Sequence, residues 1–147
     1  MKRYKFNLEP LLFQRATLEE QAQQELAEQN RLLKEIQDKL TTLFDEYQTH
    51  CKHRPSVTTP AELELANNYT NVLLERIETA RNEVRRQREA VEKVKAKLLK
   101  LHQDKKVVER LKEKDVKAYQ TEIRREETKI LDEFTSIRHA RNEGGKR

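Results

Sequence analysis

The sequence predicts an all-α fold: two long helices forming an antiparallel coiled-coil hairpin, with the second helix overhanging the first. Three observations predict it. Of 147 residues, 39% are Asp, Glu, Lys or Arg and only 35% are apolar, with no Trp, two Gly and three Pro. A compact core needs more apolar residues, and sheets need aromatic and β-branched runs that are missing here. All the Pro and Gly sit at Pro10, at Pro55 and Pro60, and at Gly144 and Gly145. Stretches 11–54 and 61–143 therefore lack the residues that cost ~3 kcal/mol (Pro) and ~1 kcal/mol (Gly) inside a helix. Finally, the apolar residues recur at steps of three and four, a spacing that a disordered chain of the same charge would not keep.

Asn7 and Pro10 mark the start of the first helix, predicted over about 8–52. Its apolar seam runs through Leu8, Leu11, Arg15, Leu18, Ala22, Leu26, Gln29, Leu33, Ile36, Leu40, Leu43 and Tyr47. Two steps of four in a row at Leu18, Ala22 and Leu26 amount to a stutter. A turn over about 53–60 follows. The second helix is predicted over about 60–141, with Thr59 as N-cap, Pro60 as the first helical residue and Glu62 completing a capping box. Its seam runs through Ala66, Tyr69, Leu73, Ile77, Ala80, Val84, Gln87, Val91, Val94, Leu98, Leu101 and Lys105. Residues 143–147 read as a disordered tail, and the whole chain as a single coiled-coil domain.

In an antiparallel pair the numbers of facing residues add to a constant. Pairing Tyr47 with Ala66, Leu40 with Leu73, Ile36 with Ile77 and Ala22 with Val91 gives 113, and Leu11 with Leu101 gives 112. In this register Gln29 faces Val84, Gln87 faces Leu26 and Arg15 faces Leu98, so no two polar seam residues meet. Arg15 would lay its stem on the seam and hold its charge outside.

The first helix, ~65 Å long at about 45 residues, ends opposite position 105, whereas the second spans ~120 Å. The overhang keeps an apolar stripe: Val108, Leu111, Val116, Tyr119, Ile123, Ile130, Phe134 and Ile137. Each such side chain forgoes ~1.5–3 kcal/mol of burial if it stays wet, so a partner protein is expected there. The surrounding charges are of both signs, as on an inserted rod rather than a core helix.

Composition also excludes functions. The formal net charge of +5 is mild, and Glu83, Glu89 and Glu92 interrupt the basic run Arg81, Arg85, Arg86 and Arg88. A solvated helix face with i,i+4 support such as Glu89 to Lys93 explains that run better than DNA binding, so no nucleic-acid partner is expected. Residues 1–50 carry net −2 and 51–147 net +7, so the two halves are complementary. The chain has no Gly-rich phosphate loop, nucleophile elbow or HExxH, so neither an enzyme nor a cofactor is expected. His50, Cys51 and His53 bracket the turn, but a structural zinc site wants four ligands and His102 and His139 lie far away, so no metal is expected and these read as solvated tip residues. The lone Cys51 excludes an intrachain disulfide. No apolar run exceeds three residues, so direct membrane insertion is not expected and the cytoplasm is the expected address. Tyr47, Phe44 and Tyr69 gather near the turn, either to close the end of the coiled coil or as a docking patch.

The opening Tyr4-Lys5-Phe6-Asn7-Leu8-Glu9-Pro10-Leu11-Leu12 with Arg15, Glu19-Glu20, Ala22 and Leu26-Ala27-Glu28 resembles the start of FliJ-type flagellar export proteins. So do Val108-Glu109-Arg110-Leu111-Lys112-Glu113, Glu126-Glu127 and Leu131-Asp132-Glu133 near the end. The likeness covers nearly the whole chain. It implies a cytoplasmic stalk of the flagellar type III export apparatus, peripheral at the inner membrane. Such a stalk is an antiparallel coiled coil similar to the γ subunit of rotary ATPases. It inserts into the ring of the export ATPase, promotes ring assembly, contacts the membrane export gate and in some members escorts export chaperones. By that analogy Val108, Leu111, Tyr119, Ile123, Ile130, Phe134 and Ile137 would meet the ATPase ring. Leu40, Leu43, Tyr47, Tyr69 and Leu73 would meet the gate, although an aromatic would be expected in place of Leu43. The protein alone would be a monomer. The alternatives are the stalk of a virulence secretion system and a scaffold that dimerises through its long helices.

Overall fold

The structure, a computed structural model, describes residues 3–145. Among them it contains two α-helices, α1 (Glu9–His53) and α2 (Pro60–Gly144), joined through one 3-10 turn, Arg54–Ser56, and no strand. The all-α hairpin is the fold that composition and periodicity predict. The backbone divides into two compact units: Leu18–Leu101, which contains the reversal, and Met1–Thr17 with His102–Arg147.

In the unit that contains the reversal, Pro55 sits in the first turn of the 3-10 segment. Ser56 Oγ donates to His53 O at 2.6 Å and Val57 N–H to Arg54 O at 3.3 Å, so the carbonyls freed at the end of α1 are satisfied locally. Thr59 caps α2 as predicted, its Oγ1 accepting from Glu62 N–H at 3.3 Å. The return bond differs from the predicted box, because Glu62 Oε2 accepts from Thr58 N–H rather than from the cap residue.

The α2 seam buries Leu73, Ile77, Ala80, Val84, Val91 and Val94. Its first step is four residues, since Thr70 is half-buried and Tyr69 is exposed. On α1 the expected stutter is absent. Leu18 is exposed, whereas Glu19 keeps only 7% of its surface. With Glu19 in the seam, the covered positions Leu12, Arg15, Glu19, Ala22, Leu26, Gln29, Leu33, Ile36, Leu40, Leu43, Tyr47 and His50 alternate steps of three and four throughout. The heptad period outranks side-chain polarity in deciding what faces inward.

The register also corrects the expectation. Gln87 Nε2 lies 2.7 Å from Gln29 Oε1 and 3.0 Å from Gln29 O. His50 Nε2 reaches Ala66 O at 3.1 Å. The numbers 29 and 87, like 50 and 66, add to 116 and not 113, a shift of one helical turn. Two polar seam residues therefore do meet, because paired amides satisfy each other where an amide against Val84 or Leu26 would go unbonded.

In the other unit, residues ahead of α1 take part in packing. Phe6 is 8% and Val108 4% exposed. Tyr4 Oη donates to Asp115 Oδ2 at 3.1 Å, and its ring lies 5.2 Å from that of Tyr119 at an interplanar angle of 49°. Lys112 Nζ is 2.8 Å from Glu9 Oε2 and 5.9 Å from the centre of the Phe6 ring. Arg15 pairs with Asp104 at 3.0 Å rather than lying against Leu98. The stretch of α2 around 108–119 thus has an intrachain partner, the N-terminal segment 4–8. From Arg124 to Gly145 every side chain is exposed. The helix continues through Glu143 and Gly144, two residues expected in a disordered tail, and Gly145 N–H bonds Arg141 O at 3.2 Å. Lys146 and Arg147, the rest of that tail, lie outside the described residues.

Candidate functional site

Among the described residues no group of three His, Cys, Asp or Glu side chains is placed to hold a metal ion. No helix there is long and apolar enough to cross a membrane. Two sets of predicted contact residues can be followed, one in each unit.

The distal part of α2 carries the first set. Ile130, Leu131, Phe134 and Ile137 keep between 52% and 66% of their surface. Around them Thr121, Thr128 and Thr135 each donate their hydroxyl to the carbonyl four residues back at 2.8 Å, so these three hydroxyls are turned onto the helix backbone. Nearer the N-terminal segment, a shallow groove runs along α2 from Arg3 and Tyr4 past Ala118, Tyr119 and Ile123 to Ile130. Tyr119 and Ile123 are half-buried and Leu111 is exposed. Val108 leaves the predicted set, because burial within the chain uses its surface. The apolar stripe open to a partner therefore keeps Leu111 and is most exposed from Ile130 to Ile137. Burial pushes the Tyr4 phenol up, and the adjacent Asp115 carboxylate adds to the effect by accepting its hydrogen bond and by its charge.

The second set lies near the reversal. Leu40, Leu43 and Tyr47 on α1 are half-buried, and Tyr69 on α2 is exposed. Leu73 is 0% exposed and belongs to the core, so it offers no surface to a partner. An aromatic does occur beside Leu43: Phe44 is half-buried and supports the Arg81 guanidinium, 5.1 Å above its ring. His50 is not a solvated tip residue. A carbonyl only accepts, so the 3.1 Å contact with Ala66 O places the proton on Nε2, which also lies 2.7 Å from Thr70 Oγ1. The Tyr69 ring meets the His50 ring edge-on at 4.8 Å. These contacts support closure of the coiled-coil end, yet they leave the outer side of Tyr69 open. The Tyr47 phenol is pushed up, first by its hydrogen bond with Cys51.

Sequence reasoning missed part of this surface. Leu63, Leu65, Val72 and Leu74 are exposed beside Tyr69. Leu65, Tyr69 and Val72 are spaced i, i+4, i+7, a second apolar stripe that periodicity alone could have found. The search for a single seam hid it.

No curated protein and no solved structure matches the chain significantly. The family described as "Flagellar FliJ protein" does match, over residues 4–144. That span takes in the Tyr4 and Phe6 segment, the Pro-containing reversal and the exposed distal helix, and so the chain belongs to the FliJ family, a component of flagellar protein export.

Proposed function

We propose that the protein is the coiled-coil stalk of the flagellar export apparatus, inserting into the export ATPase ring, promoting its assembly and activity, and linking it to the membrane export gate. The observation that carries this reading is the distal helix: Ile130, Leu131, Phe134 and Ile137 stay exposed on a segment with no intrachain cover. Burying each in a partner is worth ~1.5–3 kcal/mol, enough together for specific binding. In this reading Leu111, Tyr119, Ile123, Ile130, Phe134 and Ile137 meet the ring, and Leu40, Leu43, Tyr47 and Tyr69 meet the gate. Leu65 and Val72 extend the gate surface. The stalk stands at the cytoplasmic face of the inner membrane, and escorting export chaperones is a further role of the same surfaces.

The test is the ATP hydrolysis rate and ring assembly of the cognate export ATPase, with and without the purified chain. Stimulation that is lost in Ile130→Asp with Phe134→Asp, at unchanged helix content, is the expected result. Full stimulation by that double variant refutes insertion through the distal helix. No stimulation by the parent protein, folded and monomeric, refutes the stalk role and leaves a chaperone escort or a coiled-coil scaffold as the readings to test.

A further inference from the structure

In a two-helix coiled coil, positions flanking the seam usually carry opposite charges that meet across it. One flank of this hairpin obeys: Lys97 Nζ on α2 lies 3.2 Å from Glu25 Oε2 on α1. The other flank does not. Arg81, Arg85 and Arg88 recur at i, i+4, i+7 on α2, one stripe beside the seam. Opposite them α1 presents Phe44 beneath Arg81 and, one turn back, Leu40, neither of them an acid. Among the described residues Arg85 and Arg88 have no carboxylate partner, and the guanidinium of Arg81 meets only a ring. Farther along α2, Lys95 pairs with Glu92 at 3.4 Å and Lys97 with Glu25. The three arginines line a shallow groove with Leu40 and Val84 at its base.

We propose that Arg81, Arg85 and Arg88 form a docking strip for an acidic helical segment of a partner protein. Carboxylates at i, i+4, i+7 on such a segment would take bidentate bonds from the three guanidinium groups, while an apolar residue between them covers Leu40. Phe44 holds the first guanidinium in place before binding, which lowers the ordering cost. A nucleic acid suits the strip poorly. Glu89 and Glu92 lie in the same groove and would repel an unbroken phosphate backbone, whereas spaced carboxylates leave room for them. The proposal does not depend on the stalk reading, since the strip uses none of the distal helix.

The experiment uses the full chain and two fluorescent probes in low salt: a synthetic helical peptide with Glu at i, i+4, i+7 and Leu between, and a short duplex DNA. The peptide is expected to bind, with affinity falling as salt rises and dropping about tenfold or more in Arg85→Glu with Arg88→Glu. Arg85→Lys with Arg88→Lys should keep part of that affinity, because charge remains while bidentate geometry is lost. Arg124→Glu with Arg125→Glu, an equal charge change on distal α2, should leave binding unchanged. Circular dichroism on each variant shows that the helices persist. The proposal is overturned by absence of peptide binding, by equal loss in the Arg124 and Arg125 variant, or by tighter binding of the DNA that depends on Arg85 and Arg88.

Discussion

Gln87 and Gln29 hold each other across the seam, Nε2 of one bonding both the side-chain and the backbone oxygen of the other at 2.7 and 3.0 Å. Both residues are half-buried among apolar layers. A slip by one turn would set each amide against Val84 or Leu26. The pair therefore selects one alignment from several that the apolar residues alone would accept, the role that a polar seam residue plays in other coiled coils. Gln87→Leu should lower stability by about 1–3 kcal/mol, since it leaves the Gln29 amide covered and unbonded. Gln29→Leu with Gln87→Leu should recover most of that loss. Urea midpoints of the single and double variants form the cycle that checks this, and singles as stable as the parent would show that the pair contributes nothing.

Phe6 ties the N-terminal segment to α2. Phe6→Ala should cost about 3 kcal/mol locally, and it also takes away the ring that Lys112 covers. The expected sign is faster amide exchange around 104–119 and early proteolytic cleavage ahead of Glu9, with the 18–101 unit unaffected. Uniformly slow exchange would mean that the segment's packing is dispensable.

Raising the pH should release the same segment. The Tyr4 phenol titrates above its ordinary 10.0, because burial and Asp115 disfavour the phenolate. The folded state holds this proton more tightly than the unfolded state does, so the stabilisation is fully present below pH 10.0 and is lost as the pH rises through the folded-state value. Tyrosinate absorbance should show one late-titrating phenol that is absent in Tyr4→Phe. Amide exchange near Asp115 should quicken over the same interval in the parent only.

Near the reversal, Leu73 and Tyr69 should part company. Leu73→Ala removes a fully buried side chain and should cost about 2–5 kcal/mol. Tyr69→Ala changes an exposed residue and should leave the thermal midpoint near that of the parent while weakening binding to the cytoplasmic domain of the export gate. Equal gate binding by Tyr69→Ala would remove that residue from the proposed surface.

The helices, the reversal and the cap at Thr59 were legible because each rests on local chemistry: absent Pro and Gly, a Pro at the first helical position, a hydroxyl before it. Register was not. Seam alignments one turn apart bury similar apolar residues, and preferring apolar positions drew Leu18 into the seam in place of Glu19. The same preference kept Gln29 from Gln87, although mutual amide bonding is what fixes their alignment. The overhang was legible at Ile130, Phe134 and Ile137, where every neighbour is exposed. It was misread at Val108, because Tyr4 and Phe6 precede α1 and were read only as a family signature. Their partners lie more than a hundred residues away, beyond any local pattern. The strip of Arg81, Arg85 and Arg88 read as an ordinary solvated face until the structure set Phe44 and Leu40 of α1 beside it.

A hairpin also imposes an order in time. Contacts beside the reversal close short loops, His50 to Ala66 being 16 residues apart, whereas Gln87 to Gln29 spans 58 and Tyr4 to Asp115 spans 111. Closing a long loop directly is slow, but each layer formed shortens the loop left for the next, so folding zips outward from Pro55 and Pro60. Tyr4 and Phe6 are synthesised well before the residues they pack against and find their places last, after Asp115 and Tyr119 have been made. Pulse-labelled amide exchange during refolding would record that sequence as protection arriving near Thr70 before it arrives near Lys112.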